Sequence, residues 1–143
     1  MKRFAKTLIS AAALTTALWP VGVQAQLVAP TSVKVRMDEW RFGLSKGTLK
    51  AGKIRITTTN RGKVAHELIV IRTDLSSGKL PFVKADDRFV EDAKSISKIG
   101  EIENVTPGKV RTQTFNLKPG HYVFACNIAS HYRQGMHVDV TIS

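Results

Sequence analysis

The last eighteen residues constrain this chain more than any other stretch. Cys126, His131 and Met136 recur at five-residue intervals, and from Met136 onward Val138, Val140 and Ile142 alternate with polar neighbours. A period of two is that of a strand with one covered face. The segment therefore reads as a loop bearing a thiol, an imidazole and a thioether that runs straight into a strand. The same alternation appears in Val33–Met37, with Val33, Val35 and Met37 on one face, and in Lys53–Thr57, with Ile54 and Ile56. Leu68–Ile71 and Tyr122–Ala125 are apolar throughout, as in strands covered on both faces, and Lys109–Leu117 reads as another strand. Asn60-Arg-Gly62, Thr106-Pro-Gly108 and Lys118-Pro-Gly120 have the residues that turns require. Short strands at this spacing predict an all-β sandwich or barrel. Residues 76–98 break the pattern: they are charged, weakly periodic and hold Asp86, Asp87, Glu91 and Asp92, whereas residues 34–63 are basic. They are expected to form a long excursion between the two halves of the sandwich, with a short helix at Glu91–Ile96. No internal repeat or second domain is visible.

The N-terminus has the pattern of an export signal. Lys2, Arg3 and Lys6 precede a largely apolar stretch from Leu8 to Trp19, and Val23-Gln-Ala25 supplies the small residues of a cleavage point. The stretch falls short of the ~20 apolar residues that a membrane span needs. Residues 1–25 are expected to be a signal peptide, and residues 26–143 to form one domain in the periplasm with no lasting membrane insertion. The leader holds three of the 22 basic residues and none of the 11 acidic ones, so the remaining 118 residues carry a net charge of +8. That excess favours solubility and acidic partners. The basic residues are scattered singly, which together with export argues against nucleic acid. The chain has one cysteine, so an intramolecular disulfide is excluded and the thiol is free for another task.

A fourth donor, His66, lies upstream in Val64-Ala-His66-Glu-Leu-Ile-Val-Ile. Parity places it with the loop. Met136 shares a face with Val138 and Val140, His66 with Leu68 and Val70, and Cys126 with Tyr122 and Phe124. All three point into one end of the core, and His131 sits in the loop between. His137 shares parity with Asp139 and is expected to face outward. His121 follows Pro119-Gly120 at the far end of its strand and is expected to be solvated. Two imidazoles and a thiolate in a plane, with a weak axial thioether, form the ligand set of a blue-copper electron-transfer site, although zinc also accepts these donors.

The strand Gly120-His-Tyr-Val-Phe-Ala-Cys126, followed by Cys-x4-His-x4-Met, resembles the cupredoxin, or small blue-copper, family over most of Thr31–Ser143. The loop length resembles that of rusticyanin and sulfocyanin more than that of plastocyanin, whose Cys–His spacing is shorter. The stretch from His66 to Leu75 resembles a group of exported bacterial cupredoxins. The resemblance implies a Greek-key β-sandwich that binds one type 1 copper at one pole through His66, Cys126, His131 and Met136. It also implies one-electron shuttling through an exposed edge of His131, flanked by the mostly apolar surface of Tyr132, Ile128 and Ala129. Arg133 and the positive charge then point to an acidic redox partner, a cytochrome or another copper protein, and to a monomeric carrier rather than an enzyme. Only His121 and His137 remain for a further copper centre, and a dinuclear centre would need two cysteines. A role in copper homeostasis is the alternative, but Met-rich or His-rich loops are missing and the mature chain would begin at Gln26. Two positions depart from the family pattern. Glu67 stands where Asn or Ser often bridges the ligand loops, and Ala129-Ser130 precedes the second histidine where many members carry Pro.

Overall fold

Alternating sequence becomes two facing layers. The computed structural model describes residues 29–143; the expected leader lies outside them. One sheet has the spatial order β2 (Arg41–Leu44), β1 (Thr31–Asp38), β4 (Gly52–Asn60) and β9 (Val110–Leu117). The other runs β3 (Thr48–Leu49), β11 (His137–Ile142), β10 (Gly120–Ala125), β5 (His66–Arg72) and β8 (Ser97–Val105). β1 with β4 and β3 with β11 are parallel pairs, and the remaining neighbours are antiparallel. The expected all-β sandwich is thus what forms. Val33, Val35, Met37, Ile54 and Ile56 turn inward and are at most 1% exposed. They pack against Leu68, Val70, Tyr122, Phe124, Val140 and Ile142 of the opposite sheet. Burying such side chains contributes roughly 1.5–3 kcal/mol each.

The uninterrupted apolar runs have a second covering. Ile69, Ile71, Val123 and Ala125 face away from the sandwich onto Leu80, Phe89 and Tyr132. The charged segment between β5 and β8 supplies Leu80 and Phe89, so it lies over the outer face of one sheet and does not pass between the sandwich halves. It contains a small ladder of β6 (Phe82–Val83) and β7 (Arg88–Phe89). The helix expected at Glu91–Ile96 does not form: that stretch is turns, and the only helical element among the described residues is the 3-10 turn Ser77–Lys79. Six residues cannot offset the cost of helix nucleation alone. The Glu91 carboxylate instead accepts hydrogen bonds from Asn127 (2.8 Å) and Lys98 (2.6 Å). Alternation does not reveal β8. Only Ile102 and Val105 of this strand are buried, three residues apart, and its register with β5 shifts twice.

Asn60 fixes the end of β4 where the candidate donors gather. It is fully buried. Its Nδ2 donates to the carbonyls of Val64 and Val105, both at 2.7 Å, and its Oδ1 accepts the Gly62 N–H at 2.8 Å. One side chain therefore joins the loop before His66 to the end of β8. Asn60→Ala would leave these carbonyls without their donor, at about 1–3 kcal/mol for each buried group. We expect a loss of about 2–4 kcal/mol in chemical denaturation. A loss below about 1 kcal/mol would show that other donors replace the amide.

Candidate metal centre

The donors are placed by strand ends. His66 is the first residue of β5, Cys126 follows the last residue of β10, and Met136 precedes β11. The Cys126 N–H donates to the Met136 carbonyl at 3.0 Å, which closes the loop at its base. Successive turns then bring His131 round. The His131 N–H bonds to Ile128 O (3.0 Å), the Gln134 N–H to Ser130 O (3.0 Å), the Gly135 N–H to Tyr132 O (2.9 Å) and the Met136 N–H to His131 O (3.1 Å). Ser130 and Gly135 have positive φ, 73° and 106°, and Ser130 is held there by its N–H to Asp87 O (3.0 Å). The loop is thus hydrogen-bonded into shape without a proline.

Three of the four expected donors converge. His66 Nδ1 lies 3.3 Å from His131 Nδ1, and Cys126 Sγ lies 3.2 Å from the same nitrogen. The donor atoms of all three are within 4.8 Å of one another. His66 and Cys126 are fully buried and His131 is 6% exposed. Met136 is fully buried in the same apolar cluster as Cys126. Burial pushes the Cys126 thiol up to about 11, against the backbone amides of Glu67 and Ile128, which favour the thiolate. Burial lowers the pKa of His66, opposed by Glu39, and burial with the neighbouring His66 lowers that of His131. At neutral pH both rings are therefore uncharged, each with one nitrogen free to ligate. Two imidazoles and a soft sulfur around one buried point, with a thioether at the loop base, suit copper.

Glu67 takes the place of the shorter bridge. Its Oε1 accepts the Asn127 N–H at 2.8 Å, which ties β5 to the residue after Cys126. Burial raises its pKa. The Asn127 side chain in turn grips the covering segment. Its Oδ1 accepts the Phe89 N–H at 2.8 Å and its Nδ2 donates to Phe89 O at 2.9 Å.

Several expectations need correction. The His131 edge is not open: Trp40, from the turn between β1 and β2, packs over it with ring centroids 4.5 Å apart. Tyr132 does not flank that edge. It points into the outer apolar cluster, where its hydroxyl accepts from Leu80 N (2.9 Å) and donates to Ser77 O (2.7 Å). His137 does face away from the sandwich core, but the covering segment encloses it, and its ring lies 4.9 Å from that of Tyr132. His121 is not simply solvated: its ring bridges Thr73 O (2.6 Å) and Asp139 (2.9 Å). Arg133 is exposed but paired with Asp87 at 2.6 and 2.7 Å. Trp40, Glu39 and Asn127 carry no motif in the sequence; Asn127 adjoins Cys126 in the chain, and only the fold brings Trp40 and Glu39 to the centre.

This sandwich and this donor set define the class as cupredoxin, a blue copper protein with one copper as cofactor; proteins of this class are generally electron carriers. The match is to the sulfocyanin (SoxE) domain over residues 26–143, and the chain belongs to that family. Its fold is similar to auracyanin from Roseiflexus castenholzii, with a TM-score of 0.58 and 22% identity over 80% of this chain and 98% of that one. It is similar also to auracyanin A from Chloroflexus aurantiacus (TM-score 0.57, 20% identity, 80% and 100% covered). Rusticyanin from Thiobacillus ferrooxidans gives a TM-score of 0.58 at 16% identity, covering 80% of this chain and 79% of that one. No curated protein matches the chain in sequence.

Metal binding must displace the thiol proton. Above the pKa values of the two imidazoles and below about 11, the apparent copper affinity should rise about tenfold per pH unit, with about one proton released per ion. Calorimetry in buffers of different ionisation enthalpy reads that proton directly. Uptake with no proton release would show that Cys126 does not enter the metal shell as thiolate.

Proposed function

We propose that this protein is an exported type 1 copper protein that carries single electrons between redox partners. His66, Cys126 and His131 would form the equatorial plane, and Met136 the weak axial position. The observation that carries the reading is the convergence of one donor atom each from His66, Cys126 and His131 within 4.8 Å at a buried point. Bound copper would supply a one-electron couple. The chain supplies the rest: a loop closed by hydrogen bonds, neutral imidazoles, and a thiol shielded from water. The basic, apolar and small-residue order of residues 1–25 supports periplasmic export. No helix among the described residues is long and apolar enough to cross a membrane.

The pole itself suggests the partner. Trp40 and Ile128 lie partly buried beside the donors, and Ala129 is exposed. Arg61, Lys63 and Lys109 stand exposed in the loops at the same end. In the turn after β1, Asp38 is paired with Arg36 (2.9 Å) and Arg41 (3.6 Å), and the Glu39 carboxylate is occupied by backbone amides; on the other side of the pole Asp86, Glu91 and Asp92 line a cavity with Ala129. An acidic cytochrome or copper protein, met by a monomer, fits the side of the pole that carries Arg61, Lys63 and Lys109.

Two tests follow. The periplasmic fraction of expressing cells should yield an intensely coloured protein beginning at Gln26, and Cys126→Ser should remove the colour. Met136→Gln should keep the copper but lower the potential, because oxygen favours the harder Cu(II). A colourless Cu(II) protein, or an unmoved potential, would sink the ligand assignment. Ala129→Asp should slow electron exchange with an acidic cytochrome while leaving the spectrum unchanged. The slowing should be greater at 0.01 M than at 0.1 M salt, since the Debye length falls from about 30 to about 10 Å. Equal rates for wild type and Ala129→Asp at both ionic strengths, with the copper spectrum intact, would place the contact elsewhere.

A further inference from the structure

The turn between β1 and β2 reaches the metal centre from the opposite sheet but contributes none of its four donors. Its Glu39 side chain is 30% exposed, yet the carboxylate turns inward. Oε1 accepts the N–H of Lys63 and that of Val64, the latter at 3.1 Å. The same oxygen lies 3.7 Å from Nε2 of His66. That nitrogen is buried and has no hydrogen-bond partner. The loop is cut to admit the acid: a Cβ on Gly62 would collide with the Glu39 carboxylate.

The chemistry of the ring makes this placement consequential. His66 Nδ1 faces His131 and Cys126. A neutral imidazole carries one proton, so Nδ1 can offer its lone pair only if Nε2 holds the hydrogen. Which tautomer forms is set by the acceptor that the other nitrogen finds. Within the buried surroundings of Nε2, the nearest carboxylate is Glu39, about 0.7 Å beyond an ordinary N–H···O length. Closing that gap takes a movement of the carboxylate of about 0.7 Å toward the ring.

We propose that Glu39 is a positioning residue for His66. Its carboxylate takes the Nε2–H, fixes the tautomer that presents Nδ1 to the metal, and clamps the loop that leads into β5. Its negative charge also favours the more highly charged copper state, so it holds the reduction potential down. The inference rests on reading His66 as a ligand.

Two variants separate this role from a purely structural one. Glu39→Gln keeps an oxygen for the Lys63 and Val64 amides and for Nε2–H but removes the charge. Glu39→Ala removes both. In the metal-free protein, nitrogen-15 NMR of the His66 ring should show the Nε2–H tautomer in wild type and in Glu39→Gln, and a mixture in Glu39→Ala. In the copper-loaded protein, Glu39→Gln should favour Cu(I) over Cu(II) by about tenfold, which for a one-electron couple is a rise of about 59 mV. An unchanged potential in Glu39→Gln would reduce Glu39 to a loop clamp and overturn the electrostatic role. A wild-type ring without the Nε2–H preference, or a preference that survives in Glu39→Ala, would overturn the positioning role. The NMR measurement needs no metal, so a protein that fails to take up copper would defeat the ligand reading while Glu39 is still judged. If Glu39→Ala does not fold, the wild-type tautomer still judges the positioning role and the potential of Glu39→Gln, close in shape to the native side chain, judges the electrostatic one.

Discussion

The Cys126 N–H bonded to the Met136 carbonyl across the mouth of the loop is the contact on which the rest of the centre depends. It continues the pairing of β10 and β11 by one step beyond Ala125 and His137. A thiol and a thioether therefore leave the sheet together. The chain between them can only fold back over the sandwich end, which carries His131 above His66. An ion that changes charge without changing its shell needs donors already in place, and here the sheet sets them before any ion arrives. Burial completes the arrangement by keeping the thiol protonated and the rings neutral. The metal then competes with a proton rather than with water.

The layers and the donors were legible because both follow from a period of two. Val33, Val35 and Met37 face inward as their alternation requires, and parity places His66, Cys126 and Met136 at one end of the core. What could not be read depends on contacts between segments distant in sequence. Trp40 covers His131 only because the turn after β1 lies at the same pole as a loop some ninety residues later. The side that Tyr132 takes is not legible because a loop has no parity, so packing decides where each residue points. His137 obeys parity, yet the outward face has its own cover, which the charged composition of residues 76–98 conceals. β8 has no legible alternation because bulges break its rhythm.

Polar residues do the fastening between these layers. Glu67 joins β5 to Asn127, Asn127 joins the ligand loop to Phe89, and Asp139 on β11 accepts both the N–H and the hydroxyl of Ser77 at 2.8 Å. Asn127 is 3% exposed and has each of its side-chain polar atoms engaged. Groups so satisfied specify one arrangement, because any alternative packing would strand them in an apolar interior. The departure at Glu67 is thus a substitution of reach: a longer side chain spans the same two loops.

His131 and Tyr132, adjacent in the chain, belong to opposite sides of one sheet: the first faces the donors and the second the outer apolar cluster. Surface connections ordinarily absorb insertions and deletions during divergence. The segment between β5 and β8 has no such freedom. A residue gained or lost there would shift Leu80 and Ser77 against the Tyr132 hydroxyl and so turn the neighbouring imidazole. Lineages that keep this centre should therefore conserve the length of a stretch that contributes none of its four donors.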